Sequence, residues 1–212
     1  MNKFHLFFKI CLILWPIIIA LQAFVYRRKQ SSSNPFTGGP ISWPKAFWLS
    51  YTIWTWFLLP FVFIIHPLLS DSFKVILIFH LISWWSRGLL ELIMIYKWFN
   101  WSPKYGITHD LFHFILIAVL LWFYRFEVFS SIIGNVNYLV MFYLLMLFIS
   151  TSAEIVFAKM FMEFRSKTEE ESNIYFASDE EKWTKINRIT LIVVLMVYFH
   201  LIFQSVYTIY FL

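Results

Sequence analysis

Six long apolar segments, separated by short polar stretches, occupy most of the 212-residue chain. Each is at least as long as the roughly 20 residues that a helix needs to cross a bilayer. Helices are expected because a segment in lipid must satisfy its own backbone hydrogen bonds. The predicted transmembrane helices cover about 4–26, 46–69, 73–98, 108–128, 136–162 and 186–211. The pattern therefore predicts an all-α, polytopic membrane helix bundle in a single domain.

Polar and helix-breaking residues mark the connections between the apolar segments. The link 27–45 combines a basic run with serine, glycine and proline, and the link 163–185 contains two runs of acidic residues. We expect the 163–185 link to be a solvated cytoplasmic loop. Pro60 lies inside the second segment, where the missing backbone donor is expected to kink the helix.

The composition agrees with a membrane protein and excludes several other classes. The chain is 60% hydrophobic and 23% aromatic, and only 14% of its residues are charged, against about a quarter in an ordinary soluble domain. Its single cysteine makes an intramolecular disulfide impossible. The net charge of +5 comes from basic residues at segment ends, where membrane lipids rather than nucleic acid are the expected partners.

The distribution of basic residues predicts the orientation of the chain. The links after the first, third and fifth segments, with their flanks, hold twelve of the 17 Lys and Arg residues, whereas the other side holds four. Basic residues concentrate on the cytoplasmic side of membrane proteins. We therefore expect both termini to lie outside the cytoplasm, in a plasma (inner) membrane.

Ionisable residues inside the apolar segments are the main indication of function, because a charge in hydrocarbon is costly and is usually retained for a purpose. In the third segment His80, Arg87 and Glu91 are spaced by seven and four residues, which places them on one helical face. Arg87 and Glu91 can form an i,i+4 ion pair. Arg87 lies about 15 Å from the end of this helix by helical rise, too deep to reach water easily.

The fourth segment opens with a histidine pair and an aspartate. Thr108 is a plausible N-cap, which would place Asp110 in the first turn, where the helix dipole favours a carboxylate. His109 and His113 are four residues apart, a spacing that allows two helical histidines to share a metal ion. Interfacial, hydrogen-bonded histidines are the alternative.

Glu154 in the fifth segment has no basic partner at i±3 or i±4 in its own helix. It must pair across helices, be protonated or bind an ion. By helical rise, Glu154 lies about 10 Å from the predicted cytoplasmic end. Five ionisable residues from three helices fall at similar depth: Glu91, His109, Asp110, His113 and Glu154. We expect them to converge on a cavity whose ligand chemistry suits Zn, Fe or Mn.

One function consistent with this convergence is a membrane-embedded, metal-dependent enzyme. A divalent metal held by His109 and His113 would activate water or dioxygen against a lipid or another hydrophobic substrate. Four further residues are candidates for catalytic roles as metal ligand, general base or anion-binding group: Arg87, Glu91, Asp110 and Glu154.

Three other interpretations stay open. The protein could hold a membrane protein partner as a scaffold or assembly subunit, with its ionisable residues only fixing helix packing. Arg87, Glu91 and Glu154 could instead line a path for ion- or proton-coupled transport. As a minor alternative, His80 and His200 could ligate a haem between two helices.

Overall fold

The computed structural model describes residues 3–29, 43–98, 103–131, 133–167 and 180–212. Over these ranges the fold is all-helical, as the hydrophobic pattern predicts. The elements in chain order are α1 (Lys3–Lys29), α2 (Trp43–Tyr51), a π-helical turn (Thr52–Trp56), α3 (Leu59–Ile64), α4 (Asp71–Tyr96), α5 (Pro103–Phe123), α6 (Arg125–Phe129), α7 (Val136–Lys167) and α8 (Glu180–Tyr210).

Within the described residues, six helical stretches are long and apolar enough to cross a membrane. They cover Lys3–Arg28, Trp43–Ile64, Asp71–Met94, Lys104–Phe123, Val136–Met160 and Thr190–Tyr210. The prediction of a bundle of six membrane-spanning helices is confirmed at this level, and the fold is compatible with a multi-pass membrane protein. The membrane type and the orientation of the termini stay predictions.

The fourth predicted helix starts earlier than expected. α5 begins at Pro103, because proline suits the first helical position, where its missing N–H has no partner to lose. Thr108 therefore lies within the helix, and its hydroxyl donates to the Lys104 carbonyl at 2.9 Å. The predictions that Thr108 caps the helix and that Asp110 lies in its first turn are wrong.

Two helices extend into the predicted cytoplasmic loop 163–185. α7 continues to Lys167, and α8 begins at Glu180. The boundaries predicted for the fifth and sixth helices are therefore too short at this end. The middle of the predicted loop, 168–179, lies outside the described residues, as do residues 30–42 of the first link.

The helices pack around an aromatic interior. α1, α2 and α8 pack against one another, and the packing continues from α8 through α7, α5, α4 and α3. Large aromatic side chains fill the centre, among them the fully buried Trp48, Trp56, Trp84, Tyr51 and Tyr143. This agrees with the five glycines of the chain, too few for close backbone packing to dominate.

Contacts near the helix ends establish their relative directions. His5 Nε2 lies 2.7 Å from the Leu212 carbonyl oxygen, so α1 begins where α8 ends. At the other end, the Arg27 guanidinium lies 4.5 Å from the centroid of the Trp43 ring. We call this second end, where α1 ends and α2 begins, the basic end, since most basic residues lie there in the sequence. The other is the opposite end.

The second span is interrupted at Leu58, two residues before Pro60, where the sequence predicts a kink. Because Pro60 has no N–H, the carbonyl of Trp56 lacks its usual i+4 donor. The π-helical turn ends at Trp56. His80 Nε2 donates to the Trp56 carbonyl at 2.8 Å. The next carbonyl, that of Phe57, accepts the indole N–H of Trp85 at 3.2 Å. Side chains of α4 thus satisfy the backbone where the helix breaks.

Candidate functional site

One arginine joins carboxylates from three helices near the basic end. Arg87 Nε donates to Glu91 Oε1 at 3.1 Å, so the predicted i,i+4 pair is present. Arg87 Nη1 donates to Asp110 Oδ1 of α5 and lies 3.8 Å from Glu154 Oε2 of α7. The guanidinium therefore cross-links α4, α5 and α7, and Glu154 finds its basic partner across helices.

A buried lysine from α2 completes this group. Lys45 Nζ lies 3.8 Å from the centroid of the Trp48 ring and 4.0 Å from that of Phe157, and Lys45 interacts electrostatically with Glu154. The five ionisable residues define the charge cluster: Lys45, Arg87, Glu91, Asp110 and Glu154. When all are ionised, two cations face three carboxylates, which leaves one excess negative charge.

Gly106 provides room for the central guanidinium. A Cβ atom at this position would lie 3.2 Å from Arg87 Nη2, closer than nearly all real Cβ contacts. The glycine therefore lets α5 approach α4 at the level of Arg87. The Asp110 side chain behind it is only 2% exposed, so its charge depends on the arginine rather than on solvent.

His109 connects the charge cluster to α4. Its Nε2 lies 3.0 Å from the Ser83 carbonyl oxygen, and its Nδ1 lies 3.5 Å from Asp110 Oδ1. A carbonyl and a carboxylate are acceptors only, whereas a neutral imidazole has a single N–H. The ring proton on Nε2 therefore goes to the Ser83 carbonyl, and Nδ1 is buried without a described hydrogen-bond partner.

Ser83, His109 and Asp110 are arranged in the order of a serine hydrolase triad. Ser83 Oγ lies 3.0 Å from His109 Nε2, as a nucleophile lies near its base. The same nitrogen also lies 3.0 Å from the Ser83 carbonyl oxygen and must hold a proton to avoid repulsion between lone pairs. In this geometry it cannot accept the hydroxyl proton, so we do not assign a triad.

A second polar group lies deeper in the bundle, centred on His80. Its Nε2 contacts both the Trp56 carbonyl at 2.8 Å and Tyr143 Oη at 2.9 Å. Its Nδ1 lies 3.0 Å from His113 Nε2, which also accepts the indole N–H of Trp84 at 2.9 Å. His80 and His113 are fully buried, so these contacts replace any contact with solvent.

The hydrogen bonds around His80 are one proton short. The Trp56 carbonyl requires the proton of neutral His80 on Nε2, and the Trp84 indole requires a lone pair on His113 Nε2. His80 Nδ1 would then have no proton to donate to His113 Nε2, 3.0 Å away, whose single lone pair already accepts the Trp84 indole N–H. One added proton between them turns this contact into an N–H···N hydrogen bond.

These histidines belong to a continuous series of polar groups. The rings of His109 and His113 are stacked with centroids 5.7 Å apart, and His113 Nδ1 is buried without a described hydrogen-bond partner. We call His109, His113, His80 and Tyr143 the histidine chain. Beyond it, the ring of His200 lies 6.1 Å from that of Tyr143.

In the structure, histidines of the predicted metal and haem sites contact other protein groups. Nε2 of His109 and Nε2 of His113 both contact other protein groups. No group of three or more His, Cys, Asp or Glu residues is arranged to hold a metal ion in the part of the chain that the structure describes. Tyr143 packs against the rings of both His80 and His200. A divalent metal on the His109–His113 pair stays a prediction.

Two side chains of the candidate site, Lys45 and Tyr143, have no distinguishing signal in the sequence. Lys45 reads as one of many basic flanking residues, and Tyr143 is one of eleven tyrosines with no distinguishing neighbour. The Trp56 carbonyl does have a signal in the sequence, because Pro60 follows it by four residues and removes its helical donor.

Comparison of the chain with protein-family models, with curated proteins and with solved structures finds no match. The six apolar helices are compatible with a membrane protein, and a more specific function is inferred from the charge cluster and the histidine chain.

Proposed function

We propose that this membrane protein moves protons through its interior, as a proton-conducting or proton-coupled transport element. The observation that carries the proposal is the contact between His80 Nδ1 and His113 Nε2 at 3.0 Å, which lacks a proton when neutral His80 donates its Nε2–H to the Trp56 carbonyl. Series of buried Asp, Glu and His residues are typical of proton relays in membrane proteins.

The charge cluster lies at one end of this path. When its five residues are all ionised, the excess negative charge attracts a cation, and one added proton on a nearby histidine makes the group neutral. Burial opposes a charged imidazole, because removing an ion from water costs several kcal/mol, typically about 3–5 where a partner is missing. The two opposing effects favour a proton that binds transiently and moves on.

Proton transfer along the histidine chain follows from its hydrogen bonds. An imidazole accepts a proton on one nitrogen and releases another from the opposite nitrogen. His80 would receive a proton on Nδ1 from His113 Nε2 and release the one on Nε2 toward Tyr143 Oη, 2.9 Å away, as that hydroxyl passes on its own proton. For this step the proton of neutral His113 must move from Nδ1 to Nε2, which breaks the hydrogen bond from the Trp84 indole. The freed Nδ1 can then accept the next proton from His109, and we propose that a water molecule bridges the longer gap between these two stacked rings.

Proton flux into liposomes tests the proposal directly. The purified protein is reconstituted with a pH-sensitive dye inside the vesicles, and a potassium gradient with valinomycin drives protons inward. His80→Gln keeps an amide donor for the Trp56 carbonyl but cannot pass a proton, so we expect flux to fall to the protein-free level. His66→Gln, at a buried histidine near the opposite end, is the matched control.

Two results would overturn the proposal. One is wild-type flux no greater than that of empty vesicles under any applied potential. The other is a flux in His80→Gln equal to that of the wild type, since the proposed path from His113 to Tyr143 runs through this ring.

A further inference from the structure

Pro16 and Pro60 lie beyond the first turn of membrane-spanning helices in the described chain, and both leave a carbonyl that a distant helix uses. Pro60 removes the donor for the Trp56 carbonyl, which accepts His80 Nε2 at 2.8 Å. Pro16 of α1 does the same for the Leu12 carbonyl, which accepts Gln204 Nε2 at 3.2 Å. In each case the i+4 residue has no N–H to offer.

We propose that Pro60 is a positioning residue that sets which nitrogen of His80 carries the proton. Without a competing backbone donor, the Trp56 carbonyl accepts from His80 alone and keeps the proton of the neutral ring on Nε2. The bare Nδ1 is then turned toward His113 and can receive the transported proton. The role of Pro60 in flux rests on the proposed function, whereas the proton position on His80 does not.

Any other residue at position 60 would offer an N–H to the Trp56 carbonyl. His80 could then place its proton on Nδ1 and donate to His113 Nε2, while the Tyr143 hydroxyl, 2.9 Å away, donates to the bare Nε2. The Trp56 carbonyl and both nitrogens of His80 would then be satisfied with neutral rings, and His113 Nε2 would be shared by two donors. The contact that needs an added proton would disappear, and with it the site that receives the transported proton.

The surrounding packing keeps this arrangement in register. The Phe57 carbonyl accepts the Trp85 indole at 3.2 Å, so a second side chain of α4 is bonded to the same break. The rings of Trp56 and Trp84 lie 4.6 Å apart, beside the two histidines. Pro60 therefore acts on His80 through a fixed carbonyl rather than through general flexibility of the span.

Nitrogen-15 NMR of histidine-labelled protein in lipid reads the proton position on His80 directly, with His80→Gln identifying its signals. We expect an Nε2–H ring in the wild type and a shift to the Nδ1–H form in Pro60→Ala. Pro16→Ala is the matched control, because it also restores an N–H within a helix but contacts Gln204 instead. If Pro60→Ala does not fold, Pro60→Gly restores the same N–H in a more adaptable backbone.

Flux provides the second measurement. We expect Pro60→Ala to lower proton flux about fivefold, the population change that one net hydrogen bond produces, and Pro16→Ala to leave it unchanged. An Nε2–H signal that survives in Pro60→Ala overturns the inference whatever the flux. A shifted signal in a protein that conducts no protons would confirm the positioning and reject only the proposed function.

Discussion

The charge cluster and the histidine chain lie next to each other in the bundle but satisfy their polar groups in different ways. In the charge cluster every carboxylate interacts with Arg87 or Lys45, and Arg87 is 16% exposed. His80 in the histidine chain is fully buried. When its Nε2–H bonds the Trp56 carbonyl, its Nδ1 has no proton to donate to His113. In the proposed proton path, the first region holds the helices together, whereas the second takes up and releases the proton.

The two regions should also differ in what a substitution costs. Removing one partner of a buried ion pair leaves an uncompensated charge, at a cost of about 3–5 kcal/mol. Removing one neutral hydrogen bond costs about 0.5–1.5 kcal/mol. Substitutions in the charge cluster should therefore affect folding first, and substitutions in the histidine chain should affect function first.

The largest effect is expected for Arg87→Met. This change leaves the buried Asp110 without its cation and should lower the free energy of unfolding by about 3–5 kcal/mol. Thermal unfolding in detergent measures the loss. Arg125→Met, which removes an arginine stacked on Trp122 near the opposite end, is the control.

A second substitution tests whether the unpaired charge of Asp110 causes the loss of stability in Arg87→Met. Asp110→Asn in the Arg87→Met background removes the unpaired carboxylate and should recover about 1–3 kcal/mol. Equal melting temperatures for Arg87→Met and Arg125→Met would contradict the structural role assigned to the charge cluster.

An intermediate effect on stability is expected for His80→Gln, together with the loss of flux. The glutamine amide can donate to the Trp56 carbonyl, so the free energy of unfolding should fall by only about 1 kcal/mol. Thermal unfolding of the same preparation used for flux measures this directly. A loss as large as that of Arg87→Met would show that His80 is mainly structural.

A smaller effect concerns His66, which lies beyond the second span and packs on Phe8 with ring centroids 4.4 Å apart. Burial first, and then the nearby His5, lower the pKa of His66 below its ordinary value of 6.5. The unfolded chain then binds this proton more readily than the folded protein. The contribution of neutral His66 is present above pH 6.5 and is lost as the pH falls below it.

His66→Phe should remove this part of the pH dependence. We expect the drop in melting temperature between neutral and mildly acidic pH to be smaller in the variant than in the wild type. His5→Phe, which removes only the second cause of the pKa shift, should give a result between the two. An unchanged drop in His66→Phe would assign the acid sensitivity to other groups.

Metal content distinguishes the proposed proton path from the predicted metal site on His109 and His113. If these histidines carry protons and hold no metal ion, elemental analysis should show substoichiometric zinc, iron and manganese, equal in the wild type and in the His109→Ala/His113→Ala variant. Near-stoichiometric metal that disappears in the double variant would instead support a metal-dependent enzyme and reduce the case for a proton path.

The agreement between sequence and structure is greatest where contacts are local. The Arg87–Glu91 pair follows from an i,i+4 spacing on one helix, and the break near Pro60 follows from its missing donor. The predicted start of α5 is wrong because Thr108 also suits the N-cap position. α5 begins at Pro103, so Thr108 lies inside the helix.

The sequence by itself determined the six apolar helices, the ionisable residues within them and the carbonyl freed by Pro60, because each depends on neighbours within a few residues. Only the tertiary structure decided that Asp110 and Glu154 share Arg87, and that His80 lies between the Trp56 carbonyl and His113. Those pairings depend on how far each helix is rotated about its own axis. That rotation is set by packing among all six spans, and an apolar helix in lipid has too weak a polar face to reveal it.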